Sequence, residues 1–183
     1  MDKKPILKWE IFGAIFIIIA GTLLHFVFDW SGQNPIVGIF SPVNESVWEH
    51  LKLGFWPLVL FSAFEFYFLR KAVKNFFFTK VGEACLIVLL TTSFFYTYTG
   101  ILGFNVLPID IGTFVFSVII GQIISYKFLI RENQKKPSAL LSLITFILLI
   151  FAFALFTFDP PKINLFLDPQ GFGYGMDWPQ QHK

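Results

Sequence analysis

Residues 11–28 read IFGAIFIIIAGTLLHFVF, a run with no Asp, Glu, Lys or Arg and a single polar ring, His25. A helix of that length is about what is needed to cross the ~30 Å hydrocarbon core of a bilayer. Four further stretches of the same kind follow, at 47–69, 81–102, 109–128 and 139–158. Composition agrees with them: of 183 residues 55% are apolar and 14% charged, 26 are Phe, and the mean hydropathy is +0.67. Soluble domains carry about 25% charged residues, and disorder requires low hydrophobicity with high charge, so both classes are excluded. At about 20 residues per span plus a connection, the length accommodates five or six spans and no separate soluble domain. Barrel strands would show short alternating segments, so the expected fold is all-α. It is a polytopic membrane helical bundle of five transmembrane helices over 1–158, with a tail over 159–183 lying on the outer face.

Basic residues set the expected orientation. Eleven of the fourteen fall before the first stretch (Lys3, Lys4, Lys8), between the second and third (Arg70, Lys71, Lys74, Lys80) or around the fourth connection (Lys127, Arg131, Lys135, Lys136). The alternate connections hold none, the tail holds Lys162 and Lys183, and Lys52 lies inside a stretch. By the positive-inside rule the N-terminus is cytoplasmic and the tail outside, in the cell membrane. The first stretch is too long for the apolar part of a signal peptide and lacks a small-x-small cleavage site, so it is expected to remain as an anchor. Trp9, Trp30, Trp48 and Trp178 suit interfacial positions. An odd number of spans argues against an inverted-repeat transporter built from this chain alone.

Counting at about 1.5 Å per residue places six ionisable groups at one height near the outer boundary: His25, Asp29, Glu45, Glu49, His50 and Lys52. His25 and Asp29 are spaced i, i+4 on the first helix, and Glu45, Glu49 and Lys52 i, i+4, i+7 on the second, so that facing stripes make one pocket. His50 lies about 100° round from Glu49 and either joins the pocket or points to another helix. An ordinary structural account covers part of this. Ser41 before Pro42 reads as an N-cap, Asn44 as a second one, and Glu45 and Glu49 complement a helix dipole. It does not cover His25, a polar side chain inside the bilayer, where such groups mark a pathway, a pair or a site.

Other features carry less. Thr92, Tyr96 and Thr99, and Asp110, Thr113, Ser117 and Gly121, form polar stripes of the sort that pack helices. Pro57 frees a carbonyl and kinks the second helix. Glu65 near Arg70 and Glu83 near Lys80 read as paired or snorkelling groups at the inner side. Cys85 is the single cysteine, which rules out an intramolecular disulfide or a thiolate zinc cluster. Gly171-Phe-Gly-Tyr-Gly175 looks like a potassium filter, but a filter re-enters between two spans and no span follows. Asn44-Glu-Ser46 has the form of a glycosylation acceptor but abuts the membrane. Nucleic acid is not an expected partner, since the bases are not arrayed on a soluble aromatic surface.

The stretch Pro42-Val-Asn-Glu-Ser-Val-Trp-Glu-His-Leu-Lys-Leu53, preceded by Leu24-His-Phe-Val-Phe-Asp-Trp30, resembles the signature of a domain-of-unknown-function family of small prokaryotic multi-pass membrane proteins. Phe158-Asp-Pro-Pro161, Asp168-Pro169 and Tyr174-Gly175 are similar to that family's C-terminus. The resemblance implies a membrane location and no activity. A looser similarity links the chain to membrane-embedded zinc hydrolases acting on lipids, which have seven spans and a further His pair that this chain lacks.

Two functions follow as expectations. In the first, His25, His50 and a carboxylate, Asp29 foremost, with Glu45 or Glu49 as alternatives, hold a divalent metal such as zinc. A spare Glu (Glu49 or Glu45) then acts as base, and Lys52 stabilises an oxyanion or phosphate during lipid or amide hydrolysis. In the second, the same charges bind a lipid headgroup or small ion without catalysis, or hold together a transporter or a complex with a partner membrane protein. A cluster open to one face with no polar route to the other argues against a channel.

Overall fold

The computed structural model describes residues 3–131, 139–171 and 173–176. Lys135, Lys136, Phe172, Trp178 and Lys183 therefore lie outside the described residues. Six α-helices follow one another: α1 (Lys4–Trp30), the short α2 (Pro35–Gly38), α3 (Val47–Leu69), α4 (Phe76–Leu102), α5 (Leu107–Leu129) and α6 (Ala139–Phe158), with a 3₁₀ turn at Asn164–Phe166. Five of them are long and apolar enough to cross a membrane, and no strand is present among the described residues. The chain has the helices of a membrane protein. α3 and α6 begin and end where their apolar runs do, whereas α1 and α4 extend a turn or more beyond theirs, into segments carrying Lys8, Glu10 and Lys80.

α3 is the hub. Over half of its most apolar window, 56%, is buried within the chain, against 22% or less for the other four. It packs against α1 and α4, α1 and α4 each pack on α5, and α6 lies against α4. All five long helices supply the central core, with Ile17 from α1, Leu51, Phe55 and Leu58 from α3, Ala84 and Ile87 from α4, Val118 from α5 and Phe153 from α6. The ring of Phe55 stacks on Phe153 at 4.2 Å between centroids. A second apolar group, Ile6, Leu69, Val73, Phe76 and Leu129, closes the end where α1 and α4 begin. Ile11, Ile15, Ile19, Leu89, Ile147 and Phe151 point outward and exposed. That is the polarity a helix bundle takes when its solvent is hydrocarbon.

The segment after α6 folds back onto the opposite end, the one formed by Trp30 and Val47. Met176 donates its N–H to the Thr157 carbonyl (2.9 Å), and Asn44 Nδ2 donates to the Gly175 carbonyl (3.0 Å). Gly175 has φ +60°, and a Cβ there would lie 2.8 Å from the Thr157 oxygen and the Pro160 ring, so glycine alone fits this crossing. The ring of Trp48 stacks on Phe153 (4.6 Å) and meets Phe166 (4.8 Å), joining α3 to α6 and the tail. We expect Asn44→Ala to loosen the tail at a cost of about 1 kcal/mol, as for a hydrogen bond removed from a half-buried site. Faster protease cleavage after α6 in bilayer-reconstituted protein, with the helical circular dichroism unchanged, is the expected reading.

Candidate metal centre

The site starts from a serine. Ser41 is fully buried, and its Oγ accepts the Phe28 N–H (3.0 Å) while donating to the Leu24 carbonyl (2.5 Å). Those two backbone groups are ladder partners in an α-helix, so the hydroxyl bridges the α1 ladder at the turn that carries His25. Ser41 is thus not the cap of α3 that its place before Pro42 suggests. The cap is Ser46, whose Oγ accepts from Glu49 N at 3.4 Å. Asn44 turns the chain ahead of it, its Oδ1 accepting from Ser46 N (2.9 Å).

α1 meets α3 at Gly21. A Cβ on Gly21 would collide with the Leu53 carbonyl oxygen and lie 2.9 Å from the Phe114 ring, so the two helices approach through a bare backbone. Gly21 is one turn before His25, and Leu53 is three residues after His50. This close crossing brings the imidazoles together, edge to face, with 5.1 Å between ring centroids.

His50 makes two contacts. Its Nδ1 lies 2.9 Å from the Ser46 carbonyl and its Nε2 3.3 Å from Glu45 Oε2. A carbonyl only accepts, so Nδ1 carries a proton and the imidazole presents Nε2 toward Glu45 and His25. Metal-ligating histidines are held in this way, one ring nitrogen donating to a backbone oxygen so that the other is aimed at the ion. One ligand atom from each of His25, Glu45 and His50 lies within 4.8 Å of the others. Atoms bound to one tetrahedral zinc sit about 3.4 Å apart, so closure needs side-chain movement of only about 1 Å. His50 and Glu45 remain 32% and 40% exposed, which leaves an approach for a fourth ligand. With no ion bound, a hydrogen bond from His50 Nε2–H holds the Glu45 carboxyl below its ordinary range, so Glu45 stays anionic at neutral pH, and Nε2 releases that proton when it binds a metal.

The other expected site residues lie elsewhere. Glu49 and Lys52, 1% and 0% exposed, are turned into the bundle as an ion pair of 2.5 Å. Glu49 Oε2 also accepts the Val43 N–H (2.9 Å), and Lys52 donates to the Gly38 carbonyl (2.8 Å). The pair thus ties the loop after α2 to the first turns of α3. Asp29 is exposed and stands outside the His25, Glu45 and His50 group. Asp110, in the first turn of α5, accepts from the Tyr98 hydroxyl and from Asn105 Nδ2, a tie between α4 and α5. Ser117 Oγ donates to the Thr113 carbonyl within its own helix, which makes that stripe a packing surface.

No curated protein and no solved structure matches the chain. A family model does, over residues 1–176, and its description is "Family of unknown function (DUF6512)". Covering both the helical bundle and the tail docked on it, that match places the chain in the DUF6512 family.

Proposed function

We propose that this chain is a cell-membrane protein, N-terminus in the cytoplasm, that binds a divalent transition metal, zinc by preference, on its outer side through His25, Glu45 and His50. The observation that carries this reading is the orientation of His50, with Nδ1 committed to the Ser46 carbonyl and Nε2 3.3 Å from a carboxylate beside a second imidazole. Two imidazoles and a carboxylate suit zinc and leave one position open. His25 lies five residues from the end of α1, roughly 7 Å along the axis. The open position then faces lipid headgroups, and the ligand it meets first is an ester or phosphate oxygen of a membrane lipid.

We assign binding rather than turnover. Hydrolysis needs a base beside a metal-bound water, and Glu49 and Lys52, which the sequence offers as base and oxyanion donor, are buried and spent on each other.

Metal content tests the assignment. Protein purified in detergent and dialysed against buffered zinc should retain about one ion per chain, with His25→Ala and His50→Ala each losing it and Glu45→Gln weakening it about 10–100-fold. Because ligand imidazoles must be neutral, retention should fall as the pH is lowered. Zinc that stays bound in both histidine variants, or is absent from the wild type, removes this reading and leaves a metal-free polar cluster.

A further inference from the structure

A second polar cluster lies at the other end of the bundle, and four helices build it. Lys80 of α4 donates to Glu10 Oε1 of α1 (2.9 Å), to Glu83 Oε2 (2.9 Å) and to Ser125 Oγ of α5 (3.2 Å), which uses the three protons of its ammonium. Glu65 Oε2 of α3 lies 2.8 Å from the same nitrogen and is held by charge alone. Ser125 donates in turn to Glu10 Oε1 (3.0 Å). Glu10, Glu65, Lys80 and Glu83 are all 2% exposed or less. By helix count they sit about 6–11 Å inside that end of the bundle.

The charges do not balance. Three carboxylates face one ammonium, an excess of two negative charges in a site shut off from water. The nearby Arg70, Lys71, Lys74 and Lys127 are exposed. Among the described residues α5 supplies no charged group to the site, and α1, α3 and α4 supply those named. A buried group that lacks a counter-charge neutralises itself by binding a proton. The hydrogen bonding points the same way, because Glu10 Oε2, Glu83 Oε1 and both oxygens of Glu65 are buried without a hydrogen-bond partner. Polar lining continues one turn toward the middle of the bundle. Gln122, 3% exposed, has neither amide atom partnered, and its Nε2 faces α1 at Gly13, 3.0 Å from where a Cβ would stand, one turn from Glu10; Ser62, one turn from Glu65, has an unpartnered Oγ. Beyond them Ile17, Leu58, Ile87 and Val118 close the path. The ammonium fills the centre where an ion would sit. Among the described residues these carboxylates do not gather ligand atoms as His25, Glu45 and His50 do.

We propose that Glu10, Glu65 and Glu83 around Lys80 form a buried proton-binding site near the Lys80 end of the bundle that holds two exchangeable protons at neutral pH. Each proton is taken from hydronium by a carboxylate, leaving water and a neutral carboxyl, and is returned to water on release.

Infrared spectroscopy of the full chain in phosphatidylcholine vesicles at pH 7, in choline chloride, tests this. The wild type should show the C=O stretch of about two neutral carboxyls per chain, moving down in heavy water. Glu10→Gln or Glu83→Gln should remove about one of them, the double variant both, and Lys80→Met should raise the number to about three. Circular dichroism and gel filtration identify variants that fail to fold, and the wild-type band is decisive without them. No neutral carboxyl at pH 7, or a band indifferent to all the Gln variants, overturns the proposal. So does a band present in choline but lost in sodium chloride, which would mean that sodium fills the site.

Discussion

Lys52→Met should destabilise the protein by about 3–5 kcal/mol, the usual result of removing one member of a buried ion pair. No other ion pair to Glu49 forms among the described residues, and Glu49 is 1% exposed with Oε1 already without a partner. The Gly38 carbonyl loses its donor as well. Glu49→Gln combined with Lys52→Met should recover part of the loss, because the uncompensated charge is gone while the amide oxygen can still accept from Val43 N–H. Denaturant titration of detergent-solubilised protein measures both. A single variant within about 1 kcal/mol of wild type would mean that the pair is hydrated and not the tie it is described as here.

Gly21→Val is the second large effect. A side chain there meets the Leu53 carbonyl, which is backbone, and the Phe114 ring, so α1 has to move off α3. Overpacking of this kind costs about 1–3 kcal/mol. It also acts at a distance of one turn, because widening the crossing separates His25 from His50. Zinc affinity should therefore fall at least about tenfold with all three ligands present. Gly100→Val provides the control, since no atom lies within 4 Å of a Cβ at that position and it is far from the ligands in sequence. Equal zinc affinity in Gly21→Val and wild type would show that the crossing does not set the site.

The bundle was legible in the sequence because hydrocarbon imposes one rule on every span. The bounds of α3 and α6 coincide with their apolar runs: Ser46 caps the first, and Asp159 and two prolines follow the second. Lys80 and Glu10 were harder to place. A charged residue shortens an apolar run, yet the helix continues through it and the charge is answered by residues 70 positions away. Lys80 therefore does not belong to the connection that the count of bases assigned it to, and Glu65 pairs with Lys80 rather than Arg70. At the other end, depth counting brought His25, Glu45 and His50 to one height, but height says nothing of rotation. Glu49 and His50 are neighbours about 100° apart on α3, and that angle sends one to Lys52 in the core and the other to Glu45 at the surface. Ser41 is the clearest limit. A serine before a proline signals a cap, and only the packed structure reveals that it instead bridges a helix ladder 13 to 17 residues earlier.

X-ray absorption at the zinc edge tests the central claim most directly. Zinc bound to the detergent-purified chain should show two imidazole nitrogens and a carboxylate oxygen at about 2.0–2.2 Å, with the imidazole scattering halved in His50→Ala protein loaded at excess zinc. A first shell of oxygen alone, or one containing the sulfur of Cys85, would contradict it.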